Sequence, residues 1–503
     1  MKALIENRFT LLVLVTVALL ATCGLAAMTQ PIRTAGAAAP AAPTRAPVES
    51  VTTVCPPPEG GAVSVVVPSL LRGTPGAPAA DTPGPAAGVV VTELGKLGEA
   101  TVTGNAHRLA TLTRHGQVWQ RSMDGGVPVQ ISGTGEMAGL ESAYTALRTT
   151  GKRRGLSGVR CGDAASGTWL IGPGPAAAEV TLHLTNPGPA PATAEVFIYS
   201  GDGPVYGEID GDTAVALRPG ETRAVDVADL APRAVIAALS VRAVSGRVVA
   251  AAEAVLDRKR GVDWLPEAAA PATRVVVPGV PGGGGGRELL VAAPGEIGAR
   301  VDVRVLTSDG LKEVEGGWSL DVPAGSVVAM DLSGAFGTRS GAVVVTSQVP
   351  VVAGLVAVGT GKRKDAAFTA GALPIDFGSI VADNRTGGEP AGRQSSHLVL
   401  SAPQTEGRLW LQLVPSEGPP TDVAEVHIPA ASTVDVELPH PKGASSPFAV
   451  VVTPLPGSGP IYGGRVLTGR DESGLMFTVQ PLAAARSWTV VPTLTESSAT
   501  VLP

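Results

Sequence analysis

The sequence predicts an all-β protein: tandem immunoglobulin-like β-sandwich domains behind an N-terminal transmembrane helix and a Pro/Ala-rich linker. Three observations carry the β part. Val, Ala, Gly and Pro are abundant, while aromatics make up only 3% of the chain. Val favours the pleated sheet, and Gly and Pro end strands in turns. Apolar and polar residues alternate in Val301-Asp302-Val303-Arg304-Val305 and in Trp410-Leu411-Gln412-Leu413, the period of a strand buried on one face. The third observation is a repeat. Turns at Gly201-Asp202-Gly203, Asp309-Gly310 and Glu417-Gly418 recur at steps of 107 and 108 residues. Each follows an opening turn, Asn186-Pro187-Gly188, Ala293-Pro294-Gly295 or Ala402-Pro403-Gln404, and then a strand. Solenoid repeats are roughly 20–50 residues long, so this longer period means tandem domains.

Length and charge bound the rest. A chain of 503 residues has room for about three or four ordinary domains. Its net charge of −6 carries no long run of one sign, which argues against a nucleic-acid partner. Residues 1–8 read as a cytoplasmic tail with Lys2 and Arg8, and residues 9–28 carry no charge. Such a segment suffices to cross a hydrocarbon core of roughly 30 Å as a helix. Positive residues before the span export everything after it. The expectation is a signal anchor in the cell membrane, single-pass, with the C-terminal bulk extracytoplasmic. The alternative is secretion after signal cleavage. Leu20-Ala21-Thr22-Cys23 resembles a lipobox, which makes lipidation of Cys23 the minor alternative. Thr22 departs from the usual small residue there. Residues 29–50 are rich in Ala, Pro and Thr and read as an extended spacer.

Cys55 and Cys161 remain. Outside the membrane thiols oxidise, and a disulfide between them is expected. Two isolated cysteines lack the paired spacing of a zinc site, and no other metal set is read. Residues 51–164 form an N-terminal β-rich region, either a divergent copy of the repeat or a β domain of its own. Residues 137–151 read as a short helix or a strand. Lys152-Arg153-Arg154 reads as solvated loop surface. The repeats follow as 165–270, 271–376 and 377–503, each with Val-rich strands between Pro, Gly and Asp turns. Trp488-Thr489-Val490-Val491 reads as a last strand pairing back into the array.

The lead-in Gly155-Leu156-Ser157-Gly158-Val159-Arg160-Cys161, then Trp169-Leu170-Ile171-Gly172 and Asn186-Pro187-Gly188, resembles a family of uncharacterised actinobacterial exported, membrane-anchored proteins. The resemblance implies location and fold, and no site.

Catalytic patterns are not legible. The histidines are His107, His115, His183, His397, His427 and His440, none in a metal-binding spacing such as H-E-x-x-H. His107 and His115 with distant Ser and Asp are the candidates for a triad, but no G-x-S-x-G elbow marks a nucleophile. Gly359-Thr360-Gly361-Lys362 falls short of a phosphate loop and reads as a turn. The glycine run 282–286 reads as a flexible connection. Asp226, Asp331 and Glu437 read as single outward carboxylates rather than calcium ligands. Trp119, Trp318 and Trp410 are the aromatics that would stack on sugar if exposed, with core packing favoured for Trp410. No catalytic, cofactor or metal residues are assigned. The function expected is a structural, scaffold or binding protein of the bacterial cell envelope, acting by surface recognition without catalysis. Its partners are the membrane and a cell-wall polymer or another exported protein. The alternative is an envelope hydrolase, or a wall-polysaccharide-binding accessory protein, with a site in the N-terminal region.

Overall fold

Strand follows strand through the computed structural model, which describes residues 13–22, 44–57, 60–67, 88–95, 107–205, 214–256, 260–312, 318–361, 364–387, 393–441, 447–472 and 474–491. The protein is all-β. The period-two pattern is realised in Ala299–Thr307, where Val301, Val303 and Val305 are buried and Arg300, Asp302 and Arg304 exposed. Two units are distinguished, one of residues Pro47–Thr489 and one of Met1–Ala46 with Val490–Pro503.

Within Pro47–Thr489 one pairing order occurs four times. In residues 167–268, Gly167–Pro173 pairs with Ile236–Ser245, which pairs with Ala192–Ser200, which pairs with Ala214–Leu217. The facing sheet runs Thr222–Asp226, Glu179–Thr185, Val249–Val255, Val262–Leu265. Residues 50–163 repeat both sheets. One runs Ser50–Cys55, Val129–Thr134, Gly88–Glu93, His107–Leu112, and the other Gln117–Met123, Gly61–Val67, Glu141–Arg148, Gly155–Arg160. Of the two readings for the N-terminal region, the pairing supports a fourth, divergent copy, whose turns differ while its pairing does not. The third copy, from Ala272–Val280 to Ala366–Ala370, passes the strand Gly341–Val358 through both of its sheets. The fourth runs from Ser379–Asn384 to Gly474–Pro481.

The copies close into a ring rather than stringing out as an array. Val54 and Leu94 of the first pack on Val249 of the second. The core of the second continues into Leu290, Val352 and Phe368 of the third. Val276, Leu306 and Val344 of the third meet Ala431 and Tyr462 of the fourth. Ile380, Ala382 and Val451 of the fourth return to Val66, Val118 and Ala143 of the first. Burying an aliphatic side chain of this kind contributes roughly 1.5–3 kcal/mol, so the outer faces of these sheets are core where the copies meet. The last strands of the four copies line the ring's axis: Gly155–Arg160 touches Val262–Leu265, then Ala366–Ala370, then Gly474–Pro481, which touches Gly155–Arg160 again.

Sheets converging on an axis must approach closely, and this explains the Ala- and Gly-rich, aromatic-poor composition. The strand before each last one carries small residues at its middle: Ser142-Ala143, Ala250-Ala251-Ala252, Ala353-Gly354 and Gly463-Gly464. A Cβ on Gly354 would lie 2.5 Å from Ile171 Cγ2, and one on Gly464 would lie 2.6 Å from Gly279 Cα. Backbone faces backbone at the second contact, so nothing can rotate away. We expect Gly464→Val to destabilise by about 1–3 kcal/mol, the range for overpacking. Thermal unfolding checks this; an unchanged midpoint would contradict the close approach.

Several expectations need correction. Lys152-Arg153-Arg154 is solvated only in part: exposed Lys152 pairs with Glu179, half-buried Arg153 with Glu253, and Arg154, 2% exposed, with Asp471 at 2.6 Å. The cluster thus ties the first copy to the second and fourth. The spacer 29–50 ends in structure, since Thr44–Pro47 pairs with Trp488–Val491 and Ser50 begins the first core strand. Residues 137–151 combine a 3-10 turn, Gly135–Gly139, with the strand Glu141–Arg148. The turn 282–286 is braced rather than flexible, its carbonyls held by buried Arg287. Trp410 is 36% exposed, because it takes an outward position on Gly407–Pro415.

Of the segment 9–28, residues 13–22 are helical and exposed throughout; Cys23 lies outside the described residues. No helix among the described residues is long and apolar enough to cross a membrane.

Candidate functional site

The four last strands bring unlike side chains to the axis. Gly158 of the first leaves room for Thr478 and Arg465 of the fourth, and its amide meets Asp263 of the second. Asp263 is fully buried. Its Oδ1 accepts from the amides of Gly158 at 3.0 Å and Trp264 at 2.9 Å, and Thr478 of the fourth copy donates to Oδ2 at 2.9 Å. Burial pushes its pKa well above the carboxylate range, against the pull of these donors. Beside it Arg465, also fully buried, donates to Gln480 at 3.0 Å. Burial holds that guanidinium down to about 10. Toward the starts of these strands, burial pushes Asp365 up to about 8, although it accepts from Phe477 N at 2.8 Å. The axis is occupied by a polar network that links all four copies.

At the other end of the strands the ring opens into a depression of about 370 Å³, with Arg160, Asp163, Trp169, Glu267, Leu373 and Gln480 in its wall. Every copy contributes. Trp169 is fixed by stacking on Tyr199, ring centroids 5.7 Å apart. Arg160 Nη2 donates to Glu141 at 2.9 Å. Arg486, past the last strand of the fourth copy, donates through Nε to Asp163 at 2.6 Å and through Nη2 to the Cys161 carbonyl at 3.1 Å. Burial alone would raise the Asp163 pKa, but the charges of Arg486 and Arg160 hold it below the usual range. Glu267 is raised by burial and by Asp163, with Arg160 and Arg486 opposing. The wall therefore offers guanidinium donors, carboxylate acceptors and an aromatic face side by side, suited to a polar ligand that bears an apolar ring face.

The expected site residues fall as follows. Cys55 and Cys161 form a disulfide, both fully buried, and Cys161 sits behind the depression through its carbonyl bond to Arg486. His107 faces Glu93 and His115 faces Glu136, so the structure gives them separate carboxylate partners. His183 packs on Trp264, ring centroids 5.6 Å apart, and burial holds it down to about 4. His427 approaches Glu406, and His440 bonds Thr386. His397 bonds both a hydroxyl and a carboxylate: Nε2 lies 3.1 Å from Ser395 Oγ, and Nδ1 lies 2.9 Å from Asp435 Oδ1. Asp226 caps the short helix that follows its strand, and Asp331 accepts from Ser333 N at the start of the next one. No group of three metal-ligating side chains occurs among the described residues. Trp119 and Trp318 pack partly into cores. Sequence reasoning did not assign Arg160, Asp163, Trp169 or Glu267 to a site. Its only signal was the pair of stretches around Arg160-Cys161 and Trp169, which the ring brings to one mouth.

A family model described as a family of unknown function (DUF5719) matches residues 120–439. The chain belongs to this family. The DUF5719 match runs from the first copy into the fourth, and so covers most of the ring. No curated protein matches the chain.

Proposed function

We propose that this DUF5719 protein is a single-pass, membrane-anchored binding protein of the actinobacterial envelope. It would present its ring outside the membrane and recognise a wall polymer through the axial depression, without covalent chemistry there. The observation that carries the reading is that all four copies contribute to one depression, with Arg160, Glu267 and Trp169 in its wall. A recognition surface of that kind exists only when the ring closes, which gives closure a purpose beyond stability. Each copy is read as an immunoglobulin-like sandwich, an analogy that rests on strand pairing alone. The anchor is supported by residues 13–22, where Val13, Leu14, Val15, Val17, Leu19 and Leu20 are all more than half exposed on a helix. A helix apolar on every side needs an apolar surrounding. The Cys55–Cys161 bond fits an oxidising compartment.

Sedimentation of the detergent-solubilised full chain with insoluble wall polymer tests the ligand. We expect co-sedimentation, weakened at least fivefold by Trp169→Ala and by Glu267→Lys. Equal sedimentation of all three proteins would reject the depression as the site, and absence of sedimentation would reject the polymer in favour of an exported protein partner. Protection of the ring from added protease on intact cells would reject the topology.

A further inference from the structure

A second constellation lies at the outer junction of the third and fourth copies. Ser395 and His397 stand two apart on Gln394–Ala402, and Asp435 stands on the adjacent strand Ser432–Glu437. Ser395 Oγ is 3.1 Å from His397 Nε2, and His397 Nδ1 is 2.9 Å from Asp435 Oδ1. One ring nitrogen therefore serves a hydroxyl while the other is held by a carboxylate, the arrangement in which a serine is activated as nucleophile. His397 and Asp435 line a cavity of about 390 Å³ together with Val466 and Thr468. Ser395 is the cross-strand partner of Thr468, so it stands on the same face of the sheet.

The opposite wall belongs to the third copy. Arg287, 2% exposed, donates to the carbonyls of Pro281 at 2.6 and 3.1 Å, Gly282 at 3.1 Å, Gly286 at 2.7 Å and Val358 at 3.2 Å. These bonds hold Gly283, Gly284 and Gly285 at φ of 88, 78 and 99°. Among the described residues the Gly284 amide has no acceptor, and Gly284 lines the cavity with Arg339, which pairs with Asp309. Gly284 and Arg339 thus line the same cavity as His397 and Asp435.

The other copies show that the fold does not require these residues. Matching the strand registers, Ser395, His397 and Asp435 correspond to Glu179, Thr181 and Ala224 in the second copy and to Gly286, Glu288 and Ala329 in the third. The pairing survives every replacement. The set is peculiar to the one copy that faces the braced glycine turn.

We propose that Ser395, His397 and Asp435 hydrolyse carboxylic esters of small acyl groups, with the Gly284 amide and Arg339 receiving the developing oxyanion. Ser395 Oγ attacks the carbonyl carbon while its proton passes to His397 Nε2. The tetrahedral intermediate collapses, the ester's C–O bond breaks, and the leaving alkoxide takes the proton from His397. Water then attacks the acyl-serine, giving a proton to His397. Ser395 leaves and takes that proton back, releasing the carboxylic acid. Asp435 orients the imidazole and is a positioning residue. Glu437 Oε1, 3.3 Å from Ser395 Oγ, is a competing acceptor for the hydroxyl proton. The hydrogen bond to Asp435, helped by the charges of Asp435 and Glu437, raises His397 above its ordinary pKa against the pull of burial, so the basic form accumulates at higher pH than for a free imidazole.

The test is covalent labelling of the full chain in detergent with an alkyl fluorophosphonate, alongside turnover of p-nitrophenyl acetate. We expect an adduct on Ser395 by peptide mass, none in Ser395→Ala, and at least tenfold slower labelling in His397→Gln. Asp435→Asn should slow labelling at an unchanged unfolding temperature, Glu437→Gln should speed it, and the rate should climb with pH as His397 loses its proton. An unmodified Ser395 in the wild-type chain at pH 8, or equal labelling of His397→Gln, would overturn the proposal. Should a variant fail to fold, the adduct position in the wild-type chain decides alone. Wall-polymer binding through the depression is a separate readout, and either result leaves the other standing.

Discussion

Replacing Arg486 by Ala is expected to lower stability by about 3–5 kcal/mol, the range for breaking one partner out of a buried ion pair. Arg486 is 9% exposed and Glu141 1%. Arg486 Nη1 lies 2.6 Å from Glu141 Oε2, Nε donates to Asp163, and Nη2 donates to the Cys161 carbonyl. Both carboxylates hold the guanidinium's pKa above its ordinary value. Its removal leaves Glu141, in a buried setting, with the Arg160 guanidinium and the Ser142 amide. The residue also spans 323 positions of sequence to reach Asp163, so the same substitution unfastens the fourth copy from the first. Denaturant unfolding followed by tryptophan fluorescence should show a lower first midpoint, with Arg486→Lys intermediate because lysine keeps the charge but loses the fork. An Arg486→Ala midpoint within error of wild type would mean that apolar packing alone closes the ring.

The second large effect is expected from the disulfide. Cys55 and Cys161 are 106 residues apart, and a loop of that length corresponds to about 4–5 kcal/mol of restrained unfolded-state entropy in the simple chain model. A Cys55→Ala, Cys161→Ala double variant should lose most of that, measured by denaturant unfolding beside the oxidised wild type. A loss below about 1 kcal/mol would contradict the entropic account. Because Arg486 bonds the Cys161 carbonyl, the two sites share a neighbourhood. Their combined variant should lose less than the sum of the separate losses, since residues in contact do not add.

How much of this was legible depended on sequence distance. Turns and strands were readable because they are local: Asn186 accepts from Gly188 N through its side chain and donates to the carbonyl of Ala190, a turn device visible in four neighbouring residues. Arg154 was misread because its partner lies far away, Asp471 at 317 positions. Nothing near a charge run says whether it meets water or a carboxylate of another copy. Trp410 was misread because alternation gives two faces without saying which is covered. On Gly407–Pro415 the covered face carries Leu409 and Leu411, and Trp410 takes the other. The first copy stayed one of two readings because pairing order, unlike turn composition, leaves no periodic trace.

The sequence by itself determined the β class, the turns, the repeat and the residue sizes that permit close sheets. Those properties follow from backbone preferences and side-chain volume at single positions. Tertiary structure decided that the copies close into a ring. It also placed Arg160, Asp163, Trp169 and Glu267 around one depression, and set Ser395, His397 and Asp435 against a glycine turn of the neighbouring copy. Ring closure depends on complementary faces hundreds of residues apart, and a site built at the meeting of four copies exists only after that closure.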